Sequence, residues 1–238
     1  MSVRTDKNEY YFSNGITMKL KILPNSLWVA YKLTDPDIVS DMIPKHLELT
    51  KVSPLSESKE HEMLLFNAYA IRSRWMNGHR IDIQTFARDK KHGTPHLVIL
   101  DVITDTMSWD PIHGITPPNA QINYSTNNLT AVSLSTTPRL VPSFSVCGNP
   151  SHARKLNYDF AVNANRKSYY RDVPLGYEMT FKEQEIMKDV LDFKNLRIIN
   201  THWESVRKSN PEVVFRHQQP MDFTVKISPM FFELRKLF

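Results

Sequence analysis

Apolar and polar residues alternate along most of this 238-residue chain, and this period-two pattern constrains the fold more than any other feature. Successive side chains of a β-strand point to opposite faces, so alternation is typical of strands with one buried face. Ile16–Leu23 and His79–Arg88 both alternate. His96–Thr104 is instead almost continuously β-branched or leucine, which predicts a strand buried on both faces.

Further strands are predicted wherever short apolar or alternating runs lie between turn residues. These runs are Trp28–Leu33, His46–Val52, Glu62–Ile71, Ala120–Tyr124, Thr130–Ser135, Ser143–Cys147, Phe160–Asn163, Leu196–Asn200, Val213–His217 and Asp222–Ile227. Asn77-Gly78 is a hairpin signal just before the strand His79–Arg88. Lys90–Pro95 is predicted to be the turn that pairs this strand with the next.

Two segments have helical features instead. Asp35 is a favourable N-cap and Pro36 suits the first helical position, which predicts a helix over residues 35–43. Apolar spacing predicts a second helix over Lys182–Asp192. Two widely separated helices among many strands do not give the regular β-α-β alternation of a parallel sheet. We therefore predict a mainly β (α+β) fold, a single domain over residues 1–238 that forms an antiparallel β-barrel-like sheet with peripheral helices.

Composition excludes several classes of function. Lys and Arg number 30 against 25 acidic residues, and no basic block concentrates the net charge of +5, so we expect no nucleic-acid partner. The single cysteine, Cys147, excludes an intrachain disulfide. The first twenty residues lack the apolar core of a secretory signal, and no run of about 18 apolar residues predicts a membrane span. A cytoplasmic protein without a membrane partner is expected.

Asp82 is the leading candidate for a functional acid. The alternation places Arg80, Asp82 and Gln84 on one face of their strand and Ile81 and Ile83 on the other. If the polar face points into the domain, burial would raise the pKa of Asp82 and suit it to acid–base catalysis. Arg80 would instead hold the carboxylate ionised as a structural ion pair. A solvated polar face is the third interpretation.

The prolines at positions 111, 117 and 118 predict a structured loop over residues 105–119. Its segment Ser108–Gly114, SWDPIHG, combines an aromatic, an acid and a histidine after the most apolar strand. His113 near Asp110 would form an oriented acid–base pair, or Trp109 would merely anchor a packed turn. We predict that Asp82, Gln84 and His113 converge on one internal cavity. There Asp82 would orient a group or remove a proton, Gln84 would bind a ligand carbonyl, and His113 would move a proton.

Other chemistry is less well supported by the sequence. Cys147 ends an apolar strand, where a buried thiol is commoner than a nucleophile. His92 and His96 are four residues apart, but Gly93 and Pro95 lie between them and exclude a shared helical face. A strand-turn metal pair is the remaining alternative. We predict no metal site and no cofactor.

Several segments, in this order, resemble acetoacetate decarboxylase-like proteins. Leu33–Val39 and Met42–Leu49 resemble the opening strand, helix and following strand of that family. Arg80–Phe86 followed by His96–Asp101 resembles the paired central strands, and Val214–Pro220 resembles the closing strands. The resemblance implies an antiparallel barrel with an internal ligand cavity, commonly built into homo-oligomers.

The same resemblance limits the mechanism. In the decarboxylases, one lysine of an S-x-x-P-K-K motif forms a Schiff base with a β-keto acid, and its pKa is lowered by its neighbour and by burial. The corresponding positions here are Ile112 and His113, neither of which forms a stable imine with a ketone. Asp82 corresponds to the cavity acid of the family, and Lys155 or Lys167 is the alternative source of an amine.

The sequence thus predicts a lyase-like enzyme acting on a keto or enolisable small molecule, without a lysine Schiff base. The substrate-binding residues would be Gln84, Arg80 and Trp109, and the catalytic residues His113 and Asp82. The alternative is a ligand-binding or structural barrel protein without turnover. A third and less expected hypothesis, suggested only by the net charge of +5, is a binder of nucleic acid or of an anionic surface.

Overall fold

The chain is described here from a computed structural model. The described residues are 16–24, 26–43, 45–55, 58–73, 76–91, 93, 95–110, 114–116, 118–124, 128–133, 143–145, 168–170, 173–179, 189–190, 197–199, 210–217 and 221–227. Within these ranges, no helix has the length and apolar character needed to cross a membrane.

Strands make up nearly all of the regular structure in these ranges. In chain order they are β1 (Ile16–Ile22), β2 (Ser26–Lys32), β3 (Leu47–Leu49), β4 (Met63–Arg72), β5 (Asn77–Asp89), β6 (Pro95–Thr104), β7 (Ser108–Asp110), β8 (Gly114–Thr116), β9 (Ala120–Tyr124), β10 (Asn128–Ser133), β11 (Ser143–Ser145), β12 (Ser168–Tyr170), β13 (Val173–Met179), β14 (Asp189–Val190), β15 (Arg197–Ile199), β16 (Val213–His217) and β17 (Met221–Ile227). One short helix, α1 (Asp37–Ser40), follows β2.

An eleven-stranded sheet in the order β14-β16-β2-β4-β1-β17-β13-β12-β6-β5-β3 organises the fold. One edge of β4 pairs with β5, and the other edge is shared by β2 and β1. The pairings from β4 through β1, β17, β13, β12, β6 and β5 therefore return to β4. All of them are antiparallel except β6 with β12. The predicted antiparallel, barrel-like fold is confirmed.

Two small sheets accompany the large one. β15, β11, β10 and β9 form one, and the hairpin β7–β8 forms the other. The hairpin lies within residues 105–119, which the sequence predicted to be a loop because of its prolines. That prediction is wrong for Ser108–Asp110 and Gly114–Thr116, which pair as strands.

Both faces of β2, β4 and β5 are buried. We call one side the apolar face; its members are Leu27, Val29, Tyr31, Leu64, Phe66, Ala68, Ile81 and Ile83. We call the other side the mixed face; its members are Ser26, Trp28, Ala30, Met63, Leu65, Asn67, Tyr69, Arg80, Asp82, Gln84 and Phe86. Leu97, Val213 and Phe215 extend its apolar part.

The two helix predictions had different outcomes. The first is confirmed in position, but α1 covers only Asp37–Ser40 rather than residues 35–43, and Pro36 rather than Asp35 occupies the N-cap, without a side-chain capping bond. The second is wrong at Asp189–Val190, which forms β14 and pairs with Phe215 and Arg216 of β16. Tertiary pairing there overrides the local helical spacing. The rest of that segment, and the predicted strand at residues 160–163, lie outside the described residues.

The turn predicted at Asn77-Gly78 lies elsewhere in the structure. Both residues lie inside β5, and the turn lies earlier, where the Ser73 amide donates to the Met76 carbonyl oxygen at 2.7 Å. Gly78 is required for a different reason: a Cβ atom there would lie 2.8 Å from the Cβ of Thr106. The predicted pairing of β5 with β6 through the 90–95 turn is present, and Gly93 has a φ of 66° within it.

Candidate functional site

Asp82 lies in the middle of β5, on the mixed face, and is only 3% exposed. The interpretation of this position as a solvated charge is therefore wrong. Ile81 and Ile83 are buried as well, but on the apolar face. The alternation of β5 thus separates two buried environments rather than an interior from the solvent.

Three side chains donate hydrogen bonds to the Asp82 carboxyl group. Arg80 Nε donates to Oδ1 at 2.6 Å, as part of a buried ion pair. The Tyr69 hydroxyl donates to Oδ2 at 2.9 Å. Gln84 Nε2 lies 3.5 Å from Oδ2, at the limit of a hydrogen bond. Since every neighbour is a donor, the carboxyl group acts as an acceptor towards all three.

The register of the strands brings these groups together. Arg80 and Gln84 flank Asp82 on its own strand, where residues two apart share a face. Tyr69 of β4 lies opposite Arg80, and Asn67 lies opposite Asp82. The register between β5 and β6 shifts between Ile83 and Gln84, so a bulge lies beside the cluster. Bulges commonly redirect side chains next to functional sites.

Four buried polar atoms of the mixed face have no hydrogen-bond partner within the described part of the chain. They are Asn67 Oδ1, Gln84 Oε1, Trp28 Nε1 and Ser26 Oγ. Trp28 lies opposite Asn67 in the pairing of β2 with β4, and Ser26 is two residues before Trp28 on the same face. Such atoms are rare in native proteins because each costs about 1–3 kcal/mol when unpaired.

An apolar wall borders the polar group. Trp28 stacks on Phe215 of β16, with ring centroids 5.6 Å apart. Ala30, Leu65, Phe86 and Leu97 continue this wall, and they are all buried. The mixed face therefore combines a compact apolar half with a polar half built around one ion pair. Convergent polar groups beside an apolar wall are typical of small-molecule sites.

The structure places the other predicted site residues only in part. Trp109 lies in β7, opposite Ile115, and its backbone pairing is all that is described. Ile112, His113 and Cys147 lie outside the described residues, as do His92, Lys155 and Lys167. The convergence of His113 with Asp82 therefore stays a prediction. Among the described residues, no group of three His, Cys, Asp or Glu side chains is placed to hold a metal ion.

The sequence analysis missed Tyr69, Asn67 and Trp28. A sequence signal existed for Asn67, since it is a lone amide in the apolar run Met63–Ala68. A polar residue inside a buried strand needs a partner. The partners themselves lie on other strands, and only the strand register identifies them.

No protein-family model matches the sequence, and no curated protein matches it. Solved structures do match. The acetoacetate decarboxylase of Legionella pneumophila has a TM-score of 0.56 and 10% identity over 96% of both chains. A second acetoacetate decarboxylase structure has a TM-score of 0.51 and 10% identity, over 95% of this chain and 93% of the other.

The enduracididine biosynthesis enzyme MppR complexed with pyruvate also matches, with a TM-score of 0.46 and 10% identity over 94% of this chain. The two decarboxylase structures show that the chain has the acetoacetate decarboxylase-like fold over nearly its whole length. The resemblance inferred from the sequence is thus confirmed at the level of the fold.

Proposed function

We propose that this protein is a small-molecule enzyme that acts on a keto or enolisable substrate at the polar half of the mixed face, without a lysine Schiff base. The observation that carries the proposal is the buried Asp82 cluster, with Arg80, Tyr69 and Gln84 around one carboxyl group. A buried charged group of this kind is costly for stability and commoner at functional sites than elsewhere.

The contacts favour an orienting role for Asp82. Its oxygens already accept hydrogen bonds from Arg80 and Tyr69, so it is held as the acceptor of an ion pair. Such a carboxylate positions the surrounding donors and their charge. Proton transfer to and from the substrate would then fall to His113, with Trp109 and Arg80 contributing to substrate binding.

Asp82 also fixes the orientation of Gln84. With Nε2 directed at the carboxyl group, Oε1 is the amide atom without a partner in the described part of the chain. Reversing the amide would set two oxygens against each other. Gln84 would therefore accept a hydrogen bond from an enol or hydroxyl group, rather than donate one to a carbonyl as the sequence analysis expected.

A binding protein without turnover is the second candidate. The Arg80–Asp82 ion pair favours it, because an acid already engaged by a cation has less capacity to act as a base. The two candidates share the ligand site and differ in whether a proton leaves the substrate.

Deuterium exchange distinguishes these candidates. A panel of ketones incubated with the protein in D2O should incorporate deuterium at the carbon next to the carbonyl, measured by mass spectrometry. His113→Gln should slow this exchange about 100-fold, the size of a general acid–base contribution. The same change at the exposed His46 is the matched control and should leave the rate unaltered. Binding without exchange would establish the second candidate instead.

Borohydride reduction tests the absence of an imine. Treatment with acetoacetate and borohydride should leave the mass of the protein unchanged, because Ile112 and His113 occupy the positions of the lysine pair. A reduced adduct on any lysine, Lys155 and Lys167 included, would contradict this part of the proposal.

A further inference from the structure

We propose that three of the four unpartnered polar atoms of the mixed face form a subsite for an uncharged ligand that carries a hydroxyl group beside a carbonyl group. This inference rests on the proposed function and names its substrate class. The subsite residues are Trp28, Asn67 and Gln84, of which only Gln84 was expected from the sequence.

Trp28 and Asn67 form a matched donor and acceptor. They lie directly opposite each other in the pairing of β2 with β4, on the same face. The indole Nε1–H can only donate, and the amide Oδ1 can only accept. Both atoms are buried, and neither has a partner in the described part of the chain. One hydroxyl group satisfies both, because it accepts one hydrogen bond and donates another.

Gln84 supplies a second acceptor on the same face. Asn67 lies opposite Asp82, and Gln84 is two residues further along β5. With its Nε2 directed at Asp82, its Oε1 requires a donor. An enol formed from the carbonyl beside the hydroxyl supplies that donor. The three side chains together thus match the two neighbouring oxygens of the enol form of one small molecule.

The apolar face provides a comparison, because its buried polar group on β5 has a hydrogen-bond partner. Thr85 is its fully buried polar residue on β5, and its hydroxyl donates to the Met63 carbonyl oxygen at 2.8 Å. All four unpartnered buried atoms recorded for the described residues lie instead on the mixed face. Their confinement to the side that carries the ion pair indicates one bound molecule.

Charge favours a neutral ligand. Among residues with described side chains, the charged ones that are buried are Arg80 and Asp82. They form one ion pair, so their formal charges cancel. Among the described side chains, a keto acid anion brought against this pair would meet no cation beyond the one already paired with Asp82, and burying an uncompensated carboxylate is costly. A neutral hydroxyketone avoids this cost.

Calorimetric titration of the full-length protein with three four-carbon probes tests the inference. The probes are 3-hydroxybutan-2-one, butane-2,3-dione, which lacks the hydroxyl group, and acetoacetate, which is an anion. The hydroxyketone should bind about tenfold more tightly than the dione, because the dione has no hydrogen-bond donor for Asn67 Oδ1 and leaves that atom unpaired. It should also bind more tightly than acetoacetate.

Two variants assign the effect to the subsite. Trp28→Phe removes the N–H and keeps a ring against Phe215, and Asn67→Leu removes the amide at similar size. Each should weaken binding of the hydroxyketone about tenfold, and Asn67→Leu should leave binding of the dione unchanged, because the dione cannot donate to Asn67 Oδ1. Asn123→Leu, on the exposed side of β9, is the control and should change neither. A thermal melt without ligand checks that each variant folds.

The outcomes separate this inference from the proposed function. If acetoacetate binds as tightly as the hydroxyketone and His113→Gln still slows deuterium exchange, the neutral-ligand subsite is wrong and the proposed function stands. If the hydroxyketone and the dione bind equally, the unpartnered atoms hold ordered water only and the inference is overturned. If no probe binds and no ketone exchanges, both proposals fall.

Discussion

The two faces of β4 and β5 are equally buried but differ in what they bury. Phe66 and Asn67 are neighbours in the chain, with exposures of 0% and 5%, yet Phe66 joins a continuous apolar core while Asn67 faces an ion pair. Burial alone therefore does not determine polarity here. From this difference we propose that the apolar face stabilises the fold, whereas the polar half of the mixed face serves the proposed ligand site.

Elementary energetics supports this division. Burying apolar side chains stabilises a fold by about 25 cal/mol for each Å² removed from water. Burying an ion pair is often no better than burying apolar residues of similar volume, and each unpartnered polar atom destabilises. A sequence selected for stability alone would make both faces apolar. The changes below test the contrast, from the largest expected effect to the smallest.

Phe66→Ala measures the contribution of the apolar face. Phe66 is fully buried and meets the ring of Tyr31 edge-on, with centroids 6.0 Å apart. Its removal leaves a cavity, so we expect the free energy of unfolding in urea to fall by about 4 kcal/mol. Ile38→Ala, on an exposed part of α1, is the control and should cost less than about 1 kcal/mol. A loss below about 1.5 kcal/mol for Phe66→Ala would break the contrast.

Asp82→Asn tests the ion pair of the mixed face. Arg80 would remain buried without its counter-charge, so the free energy of unfolding should fall by about 3 kcal/mol. The double variant Arg80→Met, Asp82→Leu should recover most of this loss, because paired apolar residues of similar volume carry no such penalty. If the double variant is as unstable as Asp82→Asn, the pair is needed for the fold itself.

The sequence predicted much of this arrangement and missed the rest for identifiable reasons. The alternation of β5 correctly separated Asp82 and Gln84 from Ile81 and Ile83, and the apolar run of β6 correctly predicted burial on both faces. A strand pattern gives no register, however. The positions of Tyr69, Asn67 and Trp28 around Asp82 depend on the pairing of β4 with β5 and β2.

Local signals also misled at two places. The apolar spacing near Val190 is compatible with a helix, but Asp189–Val190 pairs with β16. Asn77-Gly78 suggests a turn, but Gly78 is needed because side-chain atoms of Asp105 and Thr106 occupy the space that a Cβ atom would take. In both cases, contacts with distant parts of the chain decide the structure, and a short window of sequence does not contain them.

Gly78→Ala tests the close packing at the end of the mixed face, where β5 begins. Gly78 shares the side of β5 that carries Arg80 and Asp82, and an added methyl group would contact the side chains of Asp105 and Thr106. We expect a loss of about 2 kcal/mol in the free energy of unfolding from overpacking. Gly93→Ala is not a clean control because its φ is positive; Asn77→Ala is preferable, since its side chain is exposed. An unaltered stability for Gly78→Ala would contradict the close packing at this end.

Tyr31 provides a pH-dependent test of the apolar face. Burial raises the pKa of its phenol above the ordinary value of about 10. Because the folded pKa is the higher one, the unfolded chain releases this proton first, and stability falls as pH rises above about 10. Between pH 8 and pH 11, the free energy of unfolding should therefore fall by about 1.4 kcal/mol more in this protein than in the Tyr31→Phe variant. If the free energy of unfolding in urea changes by the same amount in the two proteins between pH 8 and pH 11, the burial of this phenol is contradicted.

The most direct test of the central claim is the unfolding free energy of Asn67→Leu in the absence of ligand. Asn67 lies one residue from Phe66 and is nearly as buried, but its Oδ1 has no partner in the described part of the chain. If the polar half of the mixed face is built for a ligand, replacing this amide should leave the stability unchanged or raise it by up to about 1 kcal/mol. A loss of about 2 kcal/mol or more would show that Asn67 holds the fold together, and would contradict the claim.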